Sequence, residues 1–292
     1  MAHPKPNPPS REIDRREFVV FSVAAGLAAT ARPVSASGVD VVERDIEIKT
    51  PDGTCDAAFI HPATGAFPGV LLWPDAFGLR PWTREMGRRL AADGYSVLVP
   101  NPFYRVGKAP FTDASGFDFK DEAQMAKLRK LIGSVSAAGA AERDAAAYVA
   151  FLDAQKEVDP SKKIGTQGYC MGGALVLRTA ASQSERIGAG ASFHGGGLVT
   201  DKPDSPHLLA PKIKARLYVA IAANDDQKQP EAKEKLKQAF AAAKGTAEIE
   251  VYPGVLHGWC MKDMPARDGK PVYDKAEADR AWEKLLALYK GL

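Results

Sequence analysis

Three features that often reveal a protein's class are scarce in this 292-residue chain, and each absence excludes something. Cysteine occurs only at positions 55, 170 and 260, which is too few for a disulfide framework or a cysteine metal cluster. No apolar stretch reaches the roughly 20 residues that a membrane-spanning helix needs. The five histidines show no metal-ligand spacing. We therefore expect neither a bound metal nor a membrane span.

An excess of charge of one sign is also lacking. The chain has 39 lysines and arginines against 36 aspartates and glutamates, a net charge of +3, and no basic run interleaved with aromatic residues. Nucleic-acid binding is therefore not expected. The composition, 45% hydrophobic and 26% charged, is ordinary for a globular protein, and the length allows a sizeable core.

Residues 1–36 have the pattern of an export signal. A polar, proline-rich start leads to the arginine pair at 15 and 16, then to the apolar run 18–31 and the small residues 34–36. An arginine pair before a short, moderately apolar segment is typical of twin-arginine signals. We expect the twin-arginine export machinery as a partner and a periplasmic or secreted protein without stable membrane association after cleavage. The alternatives are a chance arginine pair before an amphipathic helix and an uncleaved anchor.

Residues 37–292 alternate between strand patterns and helix patterns. After a hairpin over 42–60, continuous apolar runs such as Val70–Trp73 and Tyr95–Val99 are typical of strands buried on both faces. Helices follow these strands without repeats or linkers, the longest being predicted from Ser136 to Glu157. This alternation predicts a single α/β domain with a mostly parallel sheet and helices on both faces.

The central motif is the five-residue segment from Gly168 to Gly172, which lies between a predicted strand and a predicted helix. It reads Gly-Tyr-Cys-Met-Gly and matches the nucleophile elbow G-x-S-x-G, with Cys170 in the serine place. The glycines leave room for a sharp, strained turn, and the following helix directs its unpaired N–H groups at the sulfur. The alternative is a tight turn that holds a buried structural cysteine.

Two further candidates follow later strands in the chain order nucleophile, acid, histidine that α/β-hydrolases use. Asp225 comes after the strand near Ala222, and His257 comes after the last strand. In this hypothesis His257 takes the thiol proton, and Asp225 orients the imidazole and stabilises its cation. Asp226 is the fallback acid.

An acyl-transfer site also needs backbone donors for the oxyanion. We expect the N–H of Met171, directly after the nucleophile, and the N–H of Ala76, in the loop after an early strand. The segment 194–197, His-Gly-Gly-Gly, is similar to the lipase oxyanion motif but follows the nucleophile. We therefore expect it only to line the pocket.

Together these residues resemble the dienelactone hydrolase family, the carboxymethylenebutenolidase branch of the α/β-hydrolases. The matching stretches are Trp73–Leu79, Gly94–Arg105, Gly168–Gly173, Asn224–Asp225 and His257–Trp259. The resemblance covers about residues 45–290. It implies an α/β-hydrolase fold, a triad of Cys170, Asp225 and His257, a small ester or lactone substrate and no cofactor.

The resemblance also implies two roles that this sequence meets only in part. The family glutamate that contacts the resting thiol is matched by Asp75, which is one methylene shorter. Of the two family arginines that bind the substrate carboxylate, one is matched by Arg105, whereas the other position holds Met261. Three functions stay open: a dienelactone-type hydrolase, an esterase or thioesterase without dienelactone activity, and a redox or binding protein that uses an oxidisable Cys170.

Overall fold

The computed structural model describes residues 39–267 and 269–292, so the predicted export signal lies outside the described residues. The strands are β1 (Val41–Thr50), β2 (Gly53–Pro62), β3 (Gly69–Trp73), β4 (Ser96–Pro100), β5 (Ile164–Tyr169), β6 (Ile187–Phe193), β7 (Arg216–Ala222) and β8 (Ala247–Tyr252). The α-helices are α1 (Pro81–Ala92), α2 (Glu122–Val135), α3 (Ala140–Asp153), α4 (Met171–Ser182), α5 (Ala223–Lys228), α6 (Ala232–Ala242) and α7 (Lys275–Tyr289). A 3₁₀ helix covers Pro206–Lys212.

The strands form one sheet in the order β1-β2-β4-β3-β5-β6-β7-β8. Strand β2 runs antiparallel to both of its neighbours, β1 and β4, and every other neighbouring pair from β4 to β8 is parallel. Strands β3 and β4 are buried along their whole length, as their apolar runs predict, and β5 is buried as well. The predicted α/β fold with a mostly parallel sheet is confirmed.

Helices cover both faces of this sheet. On one face α1 and α7 pack their apolar sides against the strands, with Leu90 and Trp282 among the buried contacts. On the other face α3, α4 and α6 do the same, with Tyr148, Val176 and Leu236 in the core. The two cores exclude water from the centre of the sheet, which makes the strands a rigid support for whatever follows their ends. In the described part of the chain, no helix is both long and apolar enough to cross a membrane.

Helix α3 is shorter than the sequence predicts, and the prediction of a helix from Ser136 to Glu157 is wrong at both ends. Ser136 belongs to the end of α2, since its N–H donates to Ile132, and Gly139 turns the chain with φ +71° before α3 begins. At the other end, the carbonyl of Glu157 accepts from Phe67 N–H. The segment after α3 thus bonds to the chain entering β3, and this tertiary contact overrides its helix propensity.

The carboxyl ends of the parallel strands meet at one edge of the sheet. Cys170 follows β5, the segment 194–197 follows β6, and α5 follows β7 directly. The loop 74–80 follows β3, and the loop 253–274 follows β8. Ligands of open α/β sheets bind at this edge, so the predicted candidates after these strands are brought to the position where a site is expected.

Candidate active site

Cys170 occupies a sharp turn between β5 and α4. Its backbone has φ 52° and ψ −115°, a conformation that is strained for any residue other than glycine. A Cβ atom on Gly168 would lie 2.1 Å from the carbonyl oxygen of Gly172, and one on Gly172 would lie 2.5 Å from the carbonyl oxygen of Trp73. The two motif glycines are therefore required by backbone contacts on both sides of the cysteine.

His257 lies beside Cys170 and is held by α5. Its Nδ1–H donates to Asp225 Oδ2 at 2.7 Å, and its backbone N–H donates to Asn224 Oδ1 at 2.7 Å. Because Nδ1 carries the proton that Asp225 accepts, Nε2 is the nitrogen left to interact with the sulfur. The structure thus brings the three residues of the predicted triad together.

The electrostatics of His257 depend on both partners. Burial lowers its pKa, but the electrostatic interaction with Cys170, together with the hydrogen bond to Asp225, outweighs that effect and raises the pKa to about 10. An imidazole with such a pKa is protonated at neutral pH. The site therefore places a cationic imidazole beside the Cys170 side chain.

The fallback acid, Asp226, faces elsewhere. Both of its carboxylate oxygens accept from Lys233 Nζ, at 2.7 and 2.8 Å. Of the two adjacent aspartates on α5, Asp225 is therefore the one in contact with the histidine.

The two predicted oxyanion donors lie on segments that touch. The first turn of α4 packs against the loop after β3 so closely that a Cβ on Gly172 would lie 2.7 Å from the carbonyl oxygen of Pro74. Within residues 39–267 and 269–292, the N–H groups of Met171 and Ala76 have no hydrogen-bond acceptor. Two unpaired donors on adjacent backbones are what an oxyanion requires. Their role in binding one stays a prediction.

Asp75 is buried in an ion pair with Arg80, a residue that the sequence reasoning missed. Its carboxylate accepts from Arg80 Nη1 at 2.7 Å, from Arg80 Nη2 at 2.9 Å and from Phe77 N–H at 3.0 Å. Arg80 also donates to Asp263 at 2.7 and 2.9 Å and so links the loop after β3 to the loop after β8. In the described part of the chain no hydrogen bond joins Asp75 to Cys170. Thiol activation by Asp75 stays a prediction.

Arg105 is likewise engaged by carboxylates. Its guanidinium donates to Asp144 at 2.7 and 2.9 Å and to Asp52 at 2.6 and 3.1 Å. Asp144 is fully buried and also accepts from the hydroxyl of Tyr104 at 2.7 Å. Met261 is fully buried in the core. Substrate binding by Arg105 stays a prediction, and its charge is already balanced by two anions.

The other two thiols are buried. Burial raises the pKa of Cys55 to about 12 and also raises the pKa of Cys260. Both therefore stay protonated at neutral pH, whereas Cys170 is partly exposed and adjacent to a protonated imidazole. Among the described residues no group of three or more metal-ligating side chains lies close enough to hold an ion.

Comparison with known proteins identifies the family of the chain. The model of the dienelactone hydrolase family matches residues 55–292. A carboxymethylenebutenolidase of Rhodococcus opacus is 29% identical over 214 residues, which cover 72% of this chain and 78% of the relative.

Two solved structures are similar to the chain over most of its length. One, named m3DLH, is 26% identical with a TM-score of 0.71 and covers 86% of this chain and 98% of its own. The other is P91, a dienelactone hydrolase-like promiscuous phosphotriesterase from metagenomic libraries. It is 26% identical with a TM-score of 0.70 and covers 87% of this chain and 98% of its own. The chain belongs to the dienelactone hydrolase family and is accordingly a hydrolase of the ester and lactone class.

Proposed function

We propose that this chain cleaves its ester or lactone through an acyl-enzyme on Cys170, with His257 as the proton carrier and Asp225 as its orienter. The observation that carries the proposal is the 2.7 Å hydrogen bond between His257 and Asp225, in an imidazole whose pKa the neighbouring Cys170 raises. A sulfur at a helix N-terminus beside a cationic imidazole is the arrangement of an activated cysteine nucleophile.

The reaction has two halves. The Cys170 thiolate attacks the carbonyl carbon, the C=O electron pair moves to the oxygen, and the N–H groups of Met171 and Ala76 stabilise that oxyanion. The intermediate collapses, the bond to the leaving oxygen breaks, and His257 donates its proton to that oxygen. Water then gives a proton to His257 and attacks the thioester, and the C–S bond breaks to release the acid and restore the thiolate.

The preferred substrate in this proposal is a neutral ester or thioester rather than an anionic dienelactone. Arg105 is held between the carboxylates of Asp52 and Asp144, and the position of the second carboxylate-binding arginine holds the buried, apolar Met261. A substrate carboxylate therefore lacks both expected cations, and burying an anion without a partner is costly. Esters without a carboxylate avoid that cost.

Intact-protein mass spectrometry tests the acyl-enzyme. The full chain and its Cys170→Ala variant are each mixed with activated neutral esters, thioesters, unsaturated anionic lactones and a phosphotriester, the last because one relative is a phosphotriesterase. We expect a transient acyl adduct on the wild type and on a Cys260→Ala control, none on Cys170→Ala, and larger turnover with the neutral esters. Undiminished turnover by Cys170→Ala would contradict the proposal.

Family membership already argues against the sequence-based alternative of a redox or binding protein with an oxidisable Cys170, and the same experiment tests that alternative directly. That alternative predicts no adduct and no turnover with any carbonyl compound, but reversible mass gain on Cys170 after peroxide treatment. The ordered contact of His257 with Asp225 supports hydrolysis instead, because a thiol sensor has no need of an oriented proton carrier.

A further inference from the structure

The chain leaving β6 contacts the nucleophile residue on both sides of its backbone. The N–H of Cys170 donates to the carbonyl of Phe193 at 3.1 Å and to His194 Nδ1 at 3.1 Å. The carbonyl of Cys170 accepts from the N–H groups of Gly173 at 3.0 Å and Gly196 at 3.1 Å. The segment 193–196 thus binds the amide and the carbonyl of the same strained residue.

His194 itself is strained and fully buried. Its φ is +41°, and with Cys170 and Lys244 it is one of three non-glycine residues with positive φ in the described part of the chain. Such a conformation is unfavourable for a residue with a side chain and persists only where the surroundings hold it. Its own N–H donates to Ala220 at 2.8 Å, and its side chain is 0% exposed. Two strained residues that directly follow adjacent strands are therefore joined by the His194 side chain, in addition to the backbone bonds of Phe193 and Gly196.

The ring of His194 also lies against the catalytic histidine. Its centroid is 4.9 Å from that of His257 in a T-shaped arrangement and 5.2 Å from the ring of Trp259. The His194 ring therefore contacts both the backbone of Cys170 and the ring of His257. A side chain here can restrict both partners at once.

The protonation state of His194 is determined by these neighbours. Nδ1 accepts from a backbone N–H, so the ring proton lies on Nε2, which has no acceptor among the described residues. Burial and the positive charge of His257 lower the pKa of His194 well below its ordinary value. A neutral ring keeps its acceptor and places no second cation beside His257.

We propose that His194 is a positioning residue whose neutral Nδ1 holds the Cys170 backbone in its strained turn while its ring supports the His257 imidazole. The inference rests on the proposed function, since it concerns the reactivity of Cys170. It assigns a role to the His-Gly-Gly-Gly segment, which the sequence reasoning expected only to line the pocket. His194 acts through the backbone of Cys170 and does not touch the substrate.

Three substitutions distinguish the effect of losing the Nδ1 acceptor from the effect of changing the backbone conformation at position 194. His194→Asn keeps an acceptor near the place of Nδ1 and tolerates positive φ. His194→Gly tolerates positive φ but removes the acceptor. His194→Leu removes the acceptor and retains a bulky side chain. His61→Asn, on β2, is the control for replacing a buried histidine elsewhere in the fold.

The readouts are the single-turnover acylation rate, the ester concentration that gives half of that rate, and the rate of Cys170 alkylation by iodoacetamide. In both His194→Gly and His194→Leu the Cys170 N–H loses Nδ1 and keeps only the Phe193 carbonyl as acceptor. We expect these variants to acylate about tenfold more slowly because one buried hydrogen bond is lost, with half-saturation unchanged. His194→Asn should stay within about threefold of the wild type for the same reason. If the leucine variant does not fold, the comparison of asparagine with glycine decides.

Equal acylation rates in the asparagine and glycine variants would overturn the role of the acceptor. A rise in the half-saturating ester concentration without a slower rate would show pocket lining instead and would also overturn it. Failure of the proposed function is a different result, because the wild type itself would then form no acyl-enzyme. Alkylation by iodoacetamide needs no oxyanion, so a parallel slowing of both reactions would tie the effect to the cysteine.

Discussion

At the scale of single residues, function depends on which of several chemically alike side chains has the right neighbour. The chain has three thiols, but burial raises the pKa values of Cys55 and Cys260, whereas Cys170 lies beside His257. The residue type therefore identifies the candidate nucleophiles, and the contacts of each thiol show which one lies beside a histidine.

The adjacent aspartates of α5 provide a matched pair for testing the orienter. Asp225→Asn keeps the shape of the side chain but removes the charge that stabilises the His257 cation, and we expect kcat to fall by about 10³–10⁴-fold, as in other triads. Asp226→Asn removes only the ion pair with Lys233 and should leave kcat within about twofold. Ester hydrolysis by both purified variants checks this, and similar losses in the two would contradict the assignment.

The pKa of His257 gives a second prediction at this scale. Because the electrostatic interaction with Cys170 helps to raise that pKa to about 10, Cys170→Ala should lower it. Nitrogen-15 NMR titration of the imidazole measures the change, with His257→Gln identifying the resonance. The same pKa in both proteins would mean that the thiol and the imidazole do not interact.

The same pKa determines how the contribution of His257 to the unfolding free energy changes with pH. The folded value of about 10 lies above the ordinary value of about 6.5, so this histidine stabilises the fold fully below pH about 6.5. That contribution is lost as the pH rises through about 10. The difference in unfolding free energy between the wild type and His257→Gln, from urea titrations, should therefore shrink over this range.

At the scale of elements, the site depends on how closely α4 approaches β3. Gly172→Ala places a methyl group 2.5 Å from the carbonyl oxygen of Trp73, and we expect a loss of about 1–3 kcal/mol or more in unfolding free energy. In Gly196→Ala the added methyl group has no neighbour within contact distance, and the N–H that donates to the Cys170 carbonyl is kept. This variant should therefore leave the unfolding free energy nearly unchanged. Urea unfolding of the two variants measures the contrast, which would be absent if the elbow were loosely packed.

The ion pair of Arg80 joins two loops at the edge of the site. Arg80→Met leaves Asp75 and Asp263 without their cation, and because Asp75 and Arg80 are almost fully buried we expect a loss of about 3–5 kcal/mol. The double variant Asp75→Asn, Arg80→Met should recover part of it. Lys214→Met, which breaks an exposed pair, serves as control and should cost less than about 1 kcal/mol. Equal losses from Arg80→Met and the control would show that the buried pair contributes little.

At the scale of the whole molecule, the proposed location depends on a segment outside the described residues. We propose export through the twin-arginine pathway, directed by the arginine pair at 15 and 16. Replacing both by lysine should retain the full chain in the bacterial cytoplasm, because the export receptor recognises the arginine pair. The control Arg11→Lys should still be exported. Fractionation and immunoblotting measure the distribution, and a double variant that still reaches the periplasm would overturn the proposal.

Much of the fold and of the candidate triad could be predicted because the relevant signals are local. Continuous apolar runs identified β3 and β4, and the spacing of Gly168, Cys170 and Gly172 identified the turn that carries the sulfur. The chain order placed Asp225 and His257 after later strands. In a parallel sheet these positions share one edge, so connectivity alone brings them near one another.

The remaining features required the tertiary structure, because they depend on contacts between residues far apart in the chain. Nothing near Asp75 in sequence shows that Arg80 is shared with Asp263, or that Arg105 is balanced by Asp144. The register of β6 beside β5 places the His194 ring under the Cys170 amide. The sequence by itself determined the strands and their order and indicated the candidate reactive groups. Only packing decided the bounds of α3 and the partners of each charge, since burial and distance set those energies.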